Sequence, residues 1–487
     1  MPEEIIFRAD ATPAMGTGHV MRCFALAKTA RLLGHQVRLA GRIQVPWVVD
    51  RLESEGIPLA LLSGNVPARE APEELFVQMG SPENKRAVLD GYHFGTDCQE
   101  RLRQSGNSLL VIDDCNHLSR YACDVLLNQN IGTDKFDYNG KIGTRLLGPH
   151  YALLRPEFIT AAAEAHSRIF SGNAKTLLLT LGGGDFSNHL PEIASRLCMA
   201  ELAGCKLKII AGKTPKDAIT AGLRDCQAEI EILEQVHDMP ELMLWADVCI
   251  TAGGSTCWEL CCLGTPFLVV EIADNQHNNL LELAQRHIAP ELSCSSLLAL
   301  VQSAEERKSA SEAGQKLVDG HGAYRVIQAV CGRSFVLRRV VAEDSPAVWE
   351  LANSPMVRQI SITQTPIPLS THELWFADQL RHNRNFYIIE SLGGDFCGYV
   401  RFAVHEDMAA TVSIAICHER RGKGLGTASL IDAGRLFFKE YPDYTICAAV
   451  ESDNKASLRM FQKSGFLTNH AIEINGRKFI QLFYVAK

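Results

Sequence analysis

Twice in this chain a short apolar strand runs into a glycine loop and then into an apolar helical stretch. The first instance is "EIIFRADATPAMGTGHVMRCFALA" from residue 4, and the second is "DVCITAGGSTCWELCCL" from residue 247. Few folds accommodate that pattern. Short buried strands alternating with helices are the signature of βαβ units, hence of parallel sheets covered on both faces. In the first block, about 1–157, further strands are expected at "QVRLAGR", "RAVLDGY", "SLLVIDDC" and "CDVLLNQN", with helices at 19–33 and 47–55. A second block, about 174–325, restarts with "KTLLLTLGGGD" and repeats the rhythm, with helices at 189–201, 238–245 and 255–263. The third, about 335–487, has consecutive strands joined by tight turns ("FYIIES-LGGDFCGYVRFAV", then "ATVSIAIC"), which is antiparallel meander logic. Residues 326–334 read as a junction. A length of 487 residues suits this division.

Composition excludes several classes. A net charge of −8 is not the basic footprint of a nucleic-acid binder. No apolar run approaches the ~18 residues of a membrane span, and "MPEEIIFRAD" lacks the basic and apolar regions of a signal peptide. The sixteen cysteines include Cys249, Cys257, Cys261 and Cys262 within apolar segments and no C-x-x-C pair. They read as buried thiols of a cytoplasmic protein rather than disulfides or a metal site. No metal and no membrane or nucleic-acid partner is expected, and the oligomeric state is not legible.

In the third block the loop "ERRGKGLGTASLI" offers consecutive amides at a glycine-rich helix start, a cradle for phosphate. Arg421, Gly424 and Gly426, followed by Asn454, Ser457, Phe461, Gly465 and Phe466, resemble the GNAT acetyltransferase superfamily. The resemblance implies acetyl-coenzyme A with its pyrophosphate on residues 421–426, Gly422 included. It also implies a splayed strand pair between "TVSIAIC" and "TICAAV", with Asn454 orienting the cosubstrate. Many members carry, at the position of Phe461, a tyrosine that protonates the leaving thiolate, so the general acid here is open. Glu451, His418 and Glu419 are the candidate bases by position.

In the second block, Gly254, Ser255 and Thr256 begin a helix whose amides and dipole suit a diphosphate. Glu259, one turn in, suits ribose hydroxyls, and the amides of Asn275 and Gln276 suit phosphate or sugar oxygens. This stretch is similar to the nucleotide-binding half of GT-B glycosyltransferases of the MurG group. Together with "FRADATPAMGTGHVMRCFALA", "LDGYHF", "VIDDC", "LLNQN", "GPHYALLRPEF" and "LGGGD", it resembles the PseG family of UDP-2,4-diacetamido-2,4,6-trideoxy-β-L-altropyranose hydrolases. The expected fold is therefore α/β: a GT-B-like pair of Rossmann-type domains followed by a GNAT domain with a mixed, largely antiparallel sheet.

The resemblance implies His19 as the base for water, with Tyr92 and Asn275 as further active-site residues. Gly91 stands where that family often has histidine. The implied UDP-sugar site comprises Gly16, Gly18, Arg22, Gly183, Gly254, Ser255, Thr256, Glu259 and Gln276. In pseudaminic acid synthesis the step before this hydrolysis is acetylation of the C4 amine by a GNAT enzyme. One chain holding both blocks therefore implies two consecutive reactions. Two rival readings are a glycosyltransferase with an acceptor other than water and a sugar-nucleotide sensor. An NAD-linked enzyme is disfavoured, because Arg22 lies where the glycine fingerprint should continue and "VRLAGR" ends without an acidic ribose ligand.

Overall fold

The computed structural model describes residues 3–485 except 166–167, 184–186, 225, 235 and 237, and the backbone alone of 163, 164, 275 and 485. The chain divides into two compact units, 1–333 and 334–487.

The first unit holds two parallel sheets. Strands β1 (Glu4–Ala9), β2 (Gln36–Gly41), β3 (Leu59–Leu61), β4 (Arg86–Asp90), β5 (Ser108–Ile112), β6 (Tyr121–Asn128) and β7 (Gly140–Leu147) lie in the order 3-2-1-4-5-6-7. Strands β8 (Thr176–Thr180), β9 (Lys206–Ile210), β10 (Glu229–Leu233), β11 (Val248–Ala252) and β12 (Phe267–Val270) lie in the order 10-9-8-11-12. Central strands are buried on both faces, as in β1 and β11, which is why they read as unbroken apolar runs. Each order reverses once, between β1 and β4 and between β8 and β11. Such switch points open a crevice beyond the strands' carboxyl ends. Ala9 is register-paired with Asp90, and Thr180 with Thr251, so the glycine loops emerge at the two crevices.

The segment read as a junction is mostly helix. Gly322–Val330 packs against helix Gly18–Leu32, β5, β6 and the turn Pro149–Tyr151, returning the chain to the first sheet. Its Ala323, Val326, Ile327 and Val330 are at most 1% exposed. A Cβ on Gly322 would lie 2.4 Å from the Ala152 carbonyl oxygen, so only glycine permits this approach. The helix expected over 189–201 is shorter, Leu190–Ser195, followed by a turn at Ala200–Leu202.

The second unit has strands β13 (Phe335–Arg339), β14 (Phe386–Ser391), β15 (Phe396–Val404), β16 (Ala409–Ile416), β17 (Thr445–Glu451), β18 (Leu467–Ile474) and β19 (Arg477–Val485), ordered 13-14-15-16-17-19-18. All pairs are antiparallel except β16 with β17. That pair holds register only from Ala409–Thr411 to Thr445–Cys447, and beyond it the strands part, as expected. Helix Leu425–Glu440 covers the core through Leu430, Ala433 and Phe437. The edge strands β7 and β18 and the helices Pro355–Ile360 and Leu369–His382 were not apparent in the sequence. Both edge strands are largely exposed and carry no apolar run.

Candidate active sites

Helix Gly18–Leu32 begins directly beyond β1 and places His19 at the first crevice. Its Nδ1 lies 2.6 Å from Asp90 Oδ1, at the end of β4. A carboxylate only accepts, so the shorter contact gives Nδ1 the proton, with Arg22 Nη2 3.0 Å from the same atom, and in the neutral ring Nε2 is the acceptor. Arg22, one turn on, donates to both Asp90 oxygens at 3.0 and 2.8 Å and to Asp114 Oδ1 at 2.6 Å. Burial pushes the Asp90 carboxyl up, but Arg22 and His19 together hold it below the usual carboxylate range. Burial likewise works against the Arg22 charge, and Asp114 and Asp90 outweigh it. Tyr92 donates to Asp114 Oδ2 at 3.0 Å and stands edge-on to His19, ring centroids 5.2 Å apart. Burial and the Asp114 charge push its phenol up, so it remains a donor at neutral pH. Gly16 and Gly18 face open space. His19, Arg22 and Tyr92 are thus brought together as expected from the sequence. Asp90 and Asp114, which hold them, were not singled out there.

Across the crevice, Thr17 Oγ1 donates to the Gly183 carbonyl at 3.4 Å, so the His19 loop touches the loop after β8. Helix Thr256–Leu263 starts beyond β11 and ends at Gly264 in the left-handed region (φ 62°). The Gly254 amide closes a turn onto Ala252, which leaves the helix-start amides of Ser255 and Thr256 for a ligand. Gln276 differs from expectation: its amide donates to Ala273, and its Oε1 accepts from Gly253 and Ile272. It braces the glycine loop from behind. Asn275 lies in the adjoining turn Asp274–Gln276, and its side chain falls outside the described residues. Glu259 is 20% exposed and paired with Arg155 at 3.4 Å. Burial raises its carboxyl above the usual range against the pull of Arg155.

Beneath the first loop lies a buried charge network. Asp10 accepts from Arg8 at 2.5 Å and from the Arg42 amide at 2.6 Å, and Glu70 accepts from Arg42 at 2.7 Å. His93 Nε2 is 2.9 Å from Asp10. Asp10, Glu70 and His93 bring ligand atoms within 4.8 Å of one another, as do Glu3, His35 and Cys331. In both groups arginine already pairs with the carboxylates: Arg8 and Arg42 in the first, Arg86 in the second.

In the second unit, Gly422 and Gly424 take φ of 76° and 81° with open space around them, just before helix Leu425–Glu440. The Arg421 amide is occupied by His418 O, and its Nε donates to Ile416 O at 2.8 Å, fixing the loop to β16. A Cβ on Gly426 would lie 2.8 Å from Met460 Sδ, so the two helices flanking the strand opening approach closely here. Asn454 Oδ1 caps helix Lys455–Lys463 by accepting from Ser457 N at 3.1 Å. Phe461 is 4% exposed and packs edge-on against Phe466. Glu451, at the end of β17, is held by Arg477 at 2.9 and 2.7 Å, and Arg477 also donates to Ser361 O and Gln359 O. Ser361 lines an open depression of about 450 Å³ with Arg358, Thr363 and Thr365. His418 is exposed in the turn after β16.

Residues 178–315 match the glycosyltransferase family 28 C-terminal domain, and residues 334–467 match the acetyltransferase (GNAT) domain. Among curated proteins, the chain is 22% identical over 412 residues to an uncharacterised protein of Methanocaldococcus jannaschii. That alignment covers 79% of this chain and 80% of the relative, and therefore enters both units. It is 26% identical over 201 residues to the UDP-2,4-diacetamido-2,4,6-trideoxy-beta-L-altropyranose hydrolase of Campylobacter jejuni, covering 40% of this chain and 65% of that enzyme, just under two thirds. To the spore coat polysaccharide biosynthesis protein SpsG of Bacillus subtilis it is 25% identical over 239 residues, 45% of this chain and 67% of that protein. The chain thus joins a GT-B-like pair of Rossmann-type domains to a C-terminal GNAT domain. No helix among the described residues is long and apolar enough to cross a membrane, and none of the cysteines is paired in a disulfide.

Proposed function

We propose that this protein is a bifunctional enzyme of amino-sugar nucleotide metabolism. Its first unit hydrolyses UDP-2,4-diacetamido-2,4,6-trideoxy-β-L-altropyranose to free sugar and UDP. Its second acetylates the C4 amine of the preceding UDP-4-amino sugar with acetyl-coenzyme A. The observation that carries the first half is His19 held through Nδ1 by Asp90 at a sheet switch point, with the loop after β8 against its loop and helix Thr256–Leu263 starting beyond β11 at the second sheet's switch point. Likeness to the Campylobacter hydrolase supports water as the acceptor.

Asp90 fixes the tautomer, so Nε2 accepts the proton of the attacking water. The imidazolium then formed faces a carboxylate that stays ionised. The water oxygen bonds to the anomeric carbon as the bond to the UDP oxygen breaks, and the electron pair leaves with UDP. Ser255 and Thr256 amides stabilise that developing charge, and Glu259 accepts from the ribose hydroxyls. Tyr92 and Asn275 are assigned to the sugar side, with Gly16 and Gly18 leaving room for it, while Gly183 admits the close approach of Thr17.

In the second unit the left-handed Gly422 and Gly424 and the following helix start suit a pyrophosphate, with the thioester lying in the opening between β16 and β17. Arg421 and Asn454 then act chiefly by shaping this loop and the adjoining helix. The amine nitrogen attacks the thioester carbonyl and the thiolate departs. Phe461 has no proton to give, so the thiolate takes its proton from water or from another residue of the site. Glu451 is committed to Arg477, which leaves His418 or Glu419, both exposed in the turn after β16, as the proton acceptor.

An acceptor-free assay tests the first half: UDP should be released, with oxygen from labelled water in the sugar. His19→Ala should lower turnover by about 10²–10⁴-fold while UDP binding persists. Intact sugar nucleotide after long incubation would overturn the hydrolase reading. Turnover only with an added acceptor would favour a glycosyltransferase, the second reading, which the family 28 match supports. Mass spectrometry of the 4-amino precursor with acetyl-coenzyme A should show a gain of one acetyl group.

A further inference from the structure

The loop after β5 contains a second aspartate-held imidazole that the chemistry above leaves unused. Asp113, 1% exposed, accepts from the amides of Cys115 (2.9 Å) and Asn116 (2.5 Å) and from the phenols of Tyr121 (2.7 Å) and Tyr138 (3.2 Å). Its fifth partner is His117 Nδ1. Asn116 takes the left-handed conformation (φ 55°) that folds the loop back over this carboxylate. Burial pushes Asp113 up, but His117 and Tyr121 hold it below the usual range, so it remains an acceptor. His117 Nδ1 is therefore the donor, and in the neutral ring Nε2 is an acceptor.

That Nε2 is buried and has no hydrogen-bond partner among the described residues. Unpaired buried polar atoms are costly enough to need an explanation. The ring stands edge-on to buried Tyr121 on one side and to Tyr92 on the other, at 6.3 and 5.2 Å between centroids. Tyr92 is 42% exposed and is itself edge-on to His19. The ring that carries the unpartnered nitrogen is thus one aromatic ring away from the His19 ring.

We propose that His117 contacts the sugar, accepting through Nε2 a hydrogen bond from a hydroxyl or acylamino N–H of the substrate as the Tyr92 ring gives way. This rests on the reading that the His19 side of the crevice holds the sugar. It makes His117 a specificity-determining residue. A sugar presenting a donor there is favoured, and one presenting only an ether or a methyl leaves Nε2 unpaired.

The test separates sugar binding from turnover. Calorimetry on the His19→Ala background would compare UDP with UDP-2,4-diacetamido-2,4,6-trideoxy-β-L-altropyranose, with and without His117→Ala. Asp113 keeps four of its five donors in that variant, and His117→Gln, which retains an acceptor, provides a second in case of misfolding. The expected result is a sugar-nucleotide Kd about tenfold weaker in His117→Ala, with UDP affinity within about twofold and His117→Gln between the two. An unchanged sugar-nucleotide Kd, a parallel loss for UDP, or no sugar-dependent gain with His117 intact would overturn the inference. UDP release by the wild-type protein bears separately on hydrolysis: binding through His117 without release would keep this inference and remove that reading.

Discussion

At the scale of single residues, Glu259 shows how a site is built against stability. Its carboxyl is raised, chiefly by burial, because the cation paired with it, Arg155, is 3.4 Å away and shared with Glu157. A carboxyl raised in the folded state binds more protons there than when unfolded. Stability is then fullest below the ordinary glutamate range of about 4.3 and falls as pH rises through the raised value. Glu259→Gln removes that penalty, and Arg155 keeps Glu157 as a partner. The variant should melt higher than wild type at pH 7.5, with the gap closing near pH 4, while binding UDP about tenfold more weakly. A melting temperature unchanged or lowered at pH 7.5 would show the carboxylate to be a net stabiliser. Glu259 was legible in the sequence because it lies one turn into a helix with a glycine start. Asp90 was not. In "RAVLDGY" it reads as the last residue of a buried strand, and its partner His19 lies 71 positions away. Spacing along the chain shows a loop's own residues but not the carboxylate that a neighbouring strand delivers to it.

Among the elements, helix Gly322–Val330 is where reading along the chain fails most clearly. Its segment follows the second sheet and precedes a new unit, so it looks like a linker. Its buried face has no apolar partner nearby in sequence, because that partner is helix Gly18–Leu32, some 300 residues earlier. The central strands of the parallel sheets, such as β1 and β11, were legible because burial on both faces leaves an apolar run, whereas short β3 was not read. The exposed edges β7 and β18 left none. Burying Ala323, Val326, Ile327 and Val330 contributes on the order of 5–8 kcal/mol, comparable with the whole stability of a typical domain. Arg325, pinned to Asp319 at 2.7 Å and to His150 O at 3.1 Å, fixes the helix in place. A fragment of residues 1–333 should therefore melt cooperatively. A fragment ending at 321 should lose the sharp transition, bind hydrophobic dyes and aggregate on warming. Identical melts for the two fragments would show that the returning helix contributes nothing to the first unit.

For the whole molecule, the question is what one chain gains from two units. Each has its own core and its own candidate site, so cutting between 333 and 334 should leave both activities in the separated halves. On the proposed reading, the connection matters for the sugar nucleotide that one unit would release and the other would use. For free halves at nanomolar concentration, the next site is nanomolar. For the intact chain its local concentration is set by the tether, commonly near millimolar. The advantage must therefore depend on dilution. Starting from the 4-amino sugar nucleotide and acetyl-coenzyme A, the lag before UDP release should be shorter for the intact chain than for equimolar halves at nanomolar enzyme. At micromolar enzyme the two lags should converge. Excess unlabelled acetylated intermediate provides the decisive control. If it dilutes the label in the final sugar equally for the intact chain and for the halves, the intermediate escapes to bulk in both cases. The fusion would then couple the two activities in amount and not in flux.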